Sequence, residues 1–384
     1  MPVKPNLGKL GAICLGLQTA KGTFIVPTLK PKATSSSDVQ LDLVLAREDY
    51  KDGTLFDTGT SLAGITFQGK SFDALASSDL LKMLTESITA QTGTAFTAVT
   101  VTAGTGGAAL NATSLPVTAL SAALPAGTLL KFSTSNVTAL VTAAANSGAT
   151  TLTVAPLAGA IAAGQTASAL AGTLYAPAAA ENFDTLCPGK PLSLELQVPN
   201  AGVKAYDAQV TSLSVRSNGR ENPFNASVNY SATFAEDLAD GSFTNVAQST
   251  VAAFTQSDAV FVYNGALVRP ESVETTLAVG ITPVDAINGG NFIEGFERTG
   301  EGLDLTGQVT LNTVEAALKA DYNARTRVPL ALELRRGTRI YRVYIPTAEL
   351  RMFSVPNGMD RITPTAQFAA VSLTGAAPFT IFVN

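Results

Sequence analysis

Side chains able to do chemistry are few in this chain, and their spacing is poor. There is no histidine among its 384 residues. That removes the Ser-His-Asp triad, the Cys-His dyad, the commonest general base and the commonest transition-metal ligand together. Carboxylates can do acid–base work without histidine, and two groups are close in sequence: Glu48, Asp49 and Asp52, then Glu294 and Glu297. Both lie in Gly-containing polar stretches, where such clusters read as solvated turns or interface contacts. Cys14 and Cys187 are far apart and form neither a ligand cluster nor a redox pair. Gly300-Glu301-Gly302 does not lead directly into a helix N-terminus that could hold a phosphate. No GxGxxG follows a strand, and neither a GxxxxGK[ST] loop nor an acidic calcium loop occurs. These residues point to no enzyme, no cofactor and no metal.

What remains is aromatic. Phe56 stands in the polar stretch Arg47–Ser61, and Phe292 and Phe296 stand in the polar stretch Thr282–Gly302. Long structureless loops inside compact domains tend to be functional, and aromatics in them suit an interface better than open water. The three phenylalanines are therefore the candidate contact residues.

The elements that would carry these stretches occur twice. Pro191–Leu196 (PLSLEL) matches Pro329–Leu334 (PLALEL), and Tyr206 matches Tyr344 at the same offset of 138 residues. Leu62–Phe67 resembles Leu305–Leu311, Asp38–Ala46 answers Val273–Ile281, and the helix-like Ser78–Ser87 answers Thr313–Tyr322. Asn312 and Glu315 have the spacing of a capping box for the second helix. Each copy thus reads as strand, helix, hairpin and further strands, and repeats of this kind decide the architecture. The helix pair is offset by about 235, so the first copy holds about 97 extra residues between helix and hairpin.

Those extra residues have their own character. Lys131 is the one charged residue in Gln91–Ala180, and Leu115…Gly127 repeats as Leu152…Gly164, offset by 37. Short β runs between Ala-Gly and Ser-Gly turns predict a small folded β domain rather than a linker. It reads as dispensable and outward-facing, because the second copy bridges the same gap with Asn323–Val328 alone. The expected organisation is an extended, proline-punctuated arm over 1–37, a first domain from 38–90 and 181–255, an inserted domain over 91–180, and a second domain over 256–384. Val260–Tyr263 with the Asn264-Gly265 turn is the expected link between copies. The net charge of −5 gives no reason to expect a nucleic-acid-gripping surface. Neither a secretory signal nor a membrane-spanning segment is expected, and the sequons at Asn111, Asn136 and Asn225 read as Thr-rich coincidence.

Ile13–Pro27 (ICLGLQTAKGTFIVP), the Leu62–Gly69 strand before a helix, the hairpin from Pro329, and Ile345-Pro346-Thr347-Ala348 before a final strand resemble tail tube proteins of long-tailed bacteriophages. The resemblance spans everything but the insertion. It implies a mainly β fold, with two β-sandwich or barrel domains that each carry a flanking helix. It also implies rings stacked into a tube through which DNA passes without specific binding, in a virion assembled in the host cytoplasm beside a tape measure and other tail proteins. Most members bring one domain per chain and six chains per ring. Two domains per chain imply trimeric, pseudo-sixfold rings, with a hexamer as the alternative. Phe56, Phe292 and Phe296 would then touch a neighbouring domain or ring. Another virion component (tail terminator, baseplate hub, capsid decoration protein) and a bacterial surface binding module remain open alternatives.

Overall fold

The computed structural model describes residues 12–19, 22–30, 38–49, 55–72, 78–91, 93–177, 190–197, 202–217, 224–232, 234–247, 251–252, 254–285, 293–311, 316–355, 363–372 and 377–384. The chain is mainly β, with two helices of eight or more residues among these. The first part holds β1 (Ala12–Leu17), β2 (Asp38–Asp49), β3 (Leu55–Phe72) and helix α1 (Ser78–Thr89). The insertion opens with β4 (Thr94–Phe96) and continues through β5 (Val99–Thr102), β6 (Ser114–Pro116), β7 (Leu129–Phe132), β8 (Val137–Leu140), β9 (Thr151–Thr153), β10 (Thr166–Ala169) and β11 (Gly172–Tyr175). The first copy resumes with β12 (Leu192–Gln197), β13 (Gly202–Arg216), β14 (Asn225–Ala232) and β15 (Phe234–Leu238). The second copy comprises β16 (Ala259–Tyr263), β17 (Ala266–Val268), β18 (Pro270–Asp285), β19 (Ile293–Leu311), α2 (Ala316–Ala324), β20 (Arg327–Arg336), β21 (Arg339–Ser354), β22 (Thr365–Ala370) and β23 (Thr380–Val383).

Strand pairing shows the duplication directly. In the first copy β2 pairs β3, β3 pairs β14, β14 pairs β13, and β13 pairs both β12 and β15. In the second, β18 pairs β19, β19 pairs β22, β22 pairs β21, and β21 pairs both β20 and β23. Even a bulge recurs: the register slips between Val210 and Ser212 opposite β14, and between Leu350 and Met352 opposite β22. Bulges re-aim a strand, so a shared one marks shared geometry. Pairing sets Tyr230 opposite Phe67 and Phe368 opposite Gly307, which makes Phe67 equivalent to Gly307. The offset here is 240, three residues from the match of Leu62 to Leu305 that side-chain likeness suggests.

Two sequence expectations change. The described parts of Arg47–Ser61 and Thr282–Gly302 are strands rather than loops, and they form the outer parts of the β2–β3 and β18–β19 pairs. The segment 1–37 is not wholly an arm, because β1 pairs β12 just as β16 pairs β20. Each copy therefore begins with an equivalent strand, and Val260–Tyr263, the expected link, is that first strand of the second copy, inside the expected 256–384. The second helix is described over Ala316–Ala324, within the expected region, and the Asn312–Glu315 cap lies outside the described residues. The Asn264-Gly265 turn forms as read, with positive φ at both positions (47° and 81°), the signature of a two-residue hairpin.

Alternation explains the core. In β14, Ala226, Val228, Tyr230 and Ala232 point inward while Asn225, Ser227, Asn229 and Ser231 point outward. In β20, Leu330, Leu332 and Leu334 join the same main core, and α1 adds Leu80, Leu81, Leu84 and Ile88. The insertion has a separate core. Its internal repeat appears as a pseudo-twofold, with Leu115 standing opposite its own counterpart Leu152.

The insertion is seated, not merely tethered. Leu129, Leu140 and Ala155 pack on Val262, Ala331 and Tyr344 of the second copy, and β11 hydrogen-bonds to β23 on one side and β4 on the other. The same face of the first copy is covered by the segment after β1. There Ile25 N–H donates to Ser193 Oγ (2.9 Å), and Gly22 N–H donates to Asp207. Beneath the second cover lies a buried ion pair, Arg342 Nε to Glu333 Oε2 at 2.6 Å, with the guanidinium over Phe382. Glu195 and Lys204 occupy the equivalent pair of positions in the first copy. Breaking a buried pair strands one charge at a cost of about 3–5 kcal/mol, whereas replacing both by apolar residues is often neutral. Arg342→Met should therefore lower the unfolding free energy by about that amount in urea titration, and adding Glu333→Leu should restore most of it.

Candidate assembly interface

Among the described residues, the candidate chemical groups are not brought together. Cys14 is buried in β1, and loss of solvent pushes its thiol up to about 11, with Lys30 opposing and Glu195 adding slightly. Cys187 and Asp52 lie outside the described residues. Glu48 and Asp49 stand opposite Phe56 and Leu55 at the end of the β2–β3 hairpin, and Glu297 is exposed opposite Thr282. Burial also raises the phenol of Tyr344 to about 12 and holds that of Tyr230 well above its usual range. Buried neutral phenols of this kind belong to the core.

Of the three candidate contact residues, Phe296 is described in full. It is 3 % exposed and faces Pro283 across the β18–β19 hairpin. It is thus covered by its own chain. Phe56 is a β3 residue whose side chain is not described, and Phe292 lies outside the described residues.

The feature that organises the surface is a junction that the sequence reading missed. Distal β13 has β14 on one edge and β18 of the second copy on the other. The register there is Ser212↔Ala278, Leu213↔Leu277, Ser214↔Thr276, Val215↔Thr275 and Arg216↔Glu274. Leu213, Val215, Leu277 and Thr275 are nearly inaccessible on one face. On the other, Thr276 Oγ1 donates to Ser214 Oγ at 3.1 Å, and Ser214 Oγ donates to Glu274 at 3.1 Å. The two copies thereby share one continuous antiparallel sheet in the order β2–β3–β14–β13–β18–β19–β22–β21.

Among the described side chains of this sheet, one face packs on the core and the other is mostly polar with few charges. Across it Asn229 Nδ2 donates to Ser212 Oγ (2.8 Å) and Gln367 Nε2 to Gln308 Oε1 (3.2 Å). Arg216, Arg351 and Glu274 are spaced among Ser, Thr, Asn and Gln. A broad polar wall of this composition offers hydrogen bonds without a concentrated charge.

The hairpins extend beyond their flanking strands. β3 runs ten residues beyond Ile65, which pairs Ala232 at the end of β14, to reach Leu55, about 30 Å at roughly 3.3 Å per residue. Helix α1 packs on β13 of its own copy and also touches β21 and β23 of the second. Helix α2 packs on β21 and buries Leu318 alone among its described residues. No helix among the described residues is long and apolar enough to cross a membrane.

Neither a protein-family model nor a curated protein matches this chain.

Because Cys14 stays a neutral thiol until pH nears 11, it should resist modification. In a Cys187→Ser variant at pH 8, disulfide exchange with an aromatic reagent should run at least about a hundredfold slower than for a free thiol of pKa near 8.5. The rate should rise with pH and become fast on unfolding. The raised value also means stability contributed by the thiol is present below about pH 8.5 and declines as pH rises towards 11.

Proposed function

We propose that the chain is a structural subunit of a bacteriophage tail tube, with two tube domains that close into a ring of three chains and stack. The observation that carries this reading is the continuous eight-stranded sheet across both copies, open among the described residues at β2 on one end and at distal β21 on the other. Its two ends are equivalents of the surfaces already joined at β13–β18, so the same junction can be repeated between chains. A head-to-tail contact repeated by rotation gives a closed ring, and closure removes every sheet edge. The resemblance to tail tube proteins supplies the number: six domains, hence three chains.

The polar face of the sheet would form the inner wall. Ser, Thr, Asn and Gln give a passing polyanion few cationic partners, so each phosphate is held weakly. The net charge of −5 fits that role. The long hairpins would reach towards the next ring, and the inserted domain, on the opposite side of the second copy, would decorate the outside. The tape measure and other tail proteins are the remaining expected partners.

Purified protein examined by negative stain should give rings or stacked tubes, and the mass of a single ring should be that of three chains. Persistent monomers at high concentration would sink the tube reading. Six chains per ring would instead leave one copy in the wall and place the other outside it.

A further inference from the structure

The internal junction specifies the external one residue by residue. We infer that the free edge of distal β21 takes β2 of a second copy of this chain, in the register Met352↔Asp42, Phe353↔Leu41, Ser354↔Gln40 and Val355↔Val39. The inference rests on the ring proposed above only for the number of chains; the pairing itself follows from the duplication.

The register comes from two equivalences. Leu213 pairs Val228 in β14, and Phe353 pairs Ala366 in β22, at the 138-residue offset that relates β14 to β22. So Ser212–Val215 corresponds to Met352–Val355. On the other partner, Thr276 pairs Thr306 and Gln40 pairs Thr66, while Leu277 pairs Leu305 and Leu41 pairs Ile65. Thr66 and Thr306 are equivalent through their partners Ser231 and Ala369. So Glu274–Ala278 corresponds to Asp38–Asp42.

Residue types agree with this alignment. Ser214 and Ser354 are identical, as are Val215 and Val355; Leu41 stands for Leu277, and Asp38 for Glu274. The acceptor carboxylate and the donor serine of the internal junction therefore both have counterparts.

Exposure marks the second edge as unfilled in one chain. Val215 is 1 % exposed at the internal junction, whereas its equivalent Val355 is 41 % exposed. Beyond Glu349, the last β21 residue paired with β20, the β20-side edge of β21 carries no strand among the described residues. The helices agree. Every described residue of α1 from Leu84 to Thr89 is buried or half-buried against both copies, while α2 leaves most of its surface open. The face of α2 that corresponds to the buried side of α1 is then available for the next chain.

The two junctions differ in one respect. Inside the chain, β4 follows α1 and pairs β11, which in turn pairs β23 of the second copy, strapping the copies together. The link after α2 is too short to do the same. The external junction lacks this strap, so chains should fold with the internal junction formed and associate afterwards.

Engineered cysteines test the register. Ser214 and Thr276 side chains touch at the internal junction, so a Ser354→Cys/Gln40→Cys chain in a Cys187→Ser background should form disulfides between chains, since facing strand positions fall within disulfide reach. A non-reducing gel should show one-, two- and three-chain species and nothing larger. Ser354→Cys/Asp42→Cys, slipped by two residues, should cross-link far less. Val355→Asp should leave the thermal midpoint of the isolated chain unchanged and raise the concentration needed for assembly about tenfold or more. Val215→Asp should instead lower the midpoint itself. Equal cross-linking of the slipped pair, particles that form without Gln40 cross-links, or unchanged assembly of Val355→Asp would each overturn the pairing. Cross-linked three-chain rings that never stack would uphold the pairing and overturn the tube. Chains that stay monomeric at every concentration would overturn both.

Discussion

An open sheet edge is a row of backbone donors and acceptors that must find partners, and this molecule is built around where those partners come from. The first copy satisfies distal β13 with β18, a strand of the second copy. That choice makes the two copies one sheet instead of two separate domains. It also fixes their relative orientation, because antiparallel hydrogen bonding permits one register once Leu213, Val215 and Leu277 must face the core. The polar face, the projecting hairpins and the complementary open ends all follow from that junction.

The second constraint is that each copy has a sheet face needing a cover. In the first copy the cover is a short segment of chain. Gln18 and Gly22 clasp Asp207, whose φ of 54° turns the strand at that point, and Phe24 packs near Tyr206. In the second copy a whole folded domain does the same work, with Tyr344 beneath it in the place of Tyr206. The charged pair beneath has diverged accordingly. Glu195 is held by Thr244, in a bond from its backbone N–H at 3.0 Å. Glu333 has Arg342, whose larger guanidinium is sealed between the carboxylate and Phe382. Similar scaffolds thus tolerate unlike covers, provided the polar groups on that face keep partners.

Several elements were legible because one face of each is buried against the core. Leu330, Leu332 and Leu334 alternate with residues on the opposite face, and the alternation identified the strand. Asn264-Gly265 was legible because few residue pairs accept two positive φ values. The insertion was legible as a folded unit because its Leu and Val residues recur at a fixed spacing around a pseudo-twofold. The outer hairpins were not. A two-stranded ribbon needs little core, so the strands Thr282–Asp285 and Ile293–Gly302 carry no regular apolar alternation and read as loop. Nor was β1, whose Ile13, Cys14, Leu15 and Gly16 are buried on both faces and so show no alternation either. Phe296 illustrates the limit for single residues: composition marked it as a contact for a neighbouring domain or ring, and within its own chain it is already buried.

The sequence by itself determined that the chain is β-rich, that it contains one unit written twice, and that a second small unit interrupts the first copy. Those are properties of local periodicity and internal likeness, which survive in one dimension. Tertiary structure decided which strand lies beside which, that β13 and β18 join the copies, and that the insertion rests on the second copy although it is threaded through the first. Such pairings join residues far apart in the chain through backbone groups that every residue carries. Residue type therefore leaves almost no trace of them.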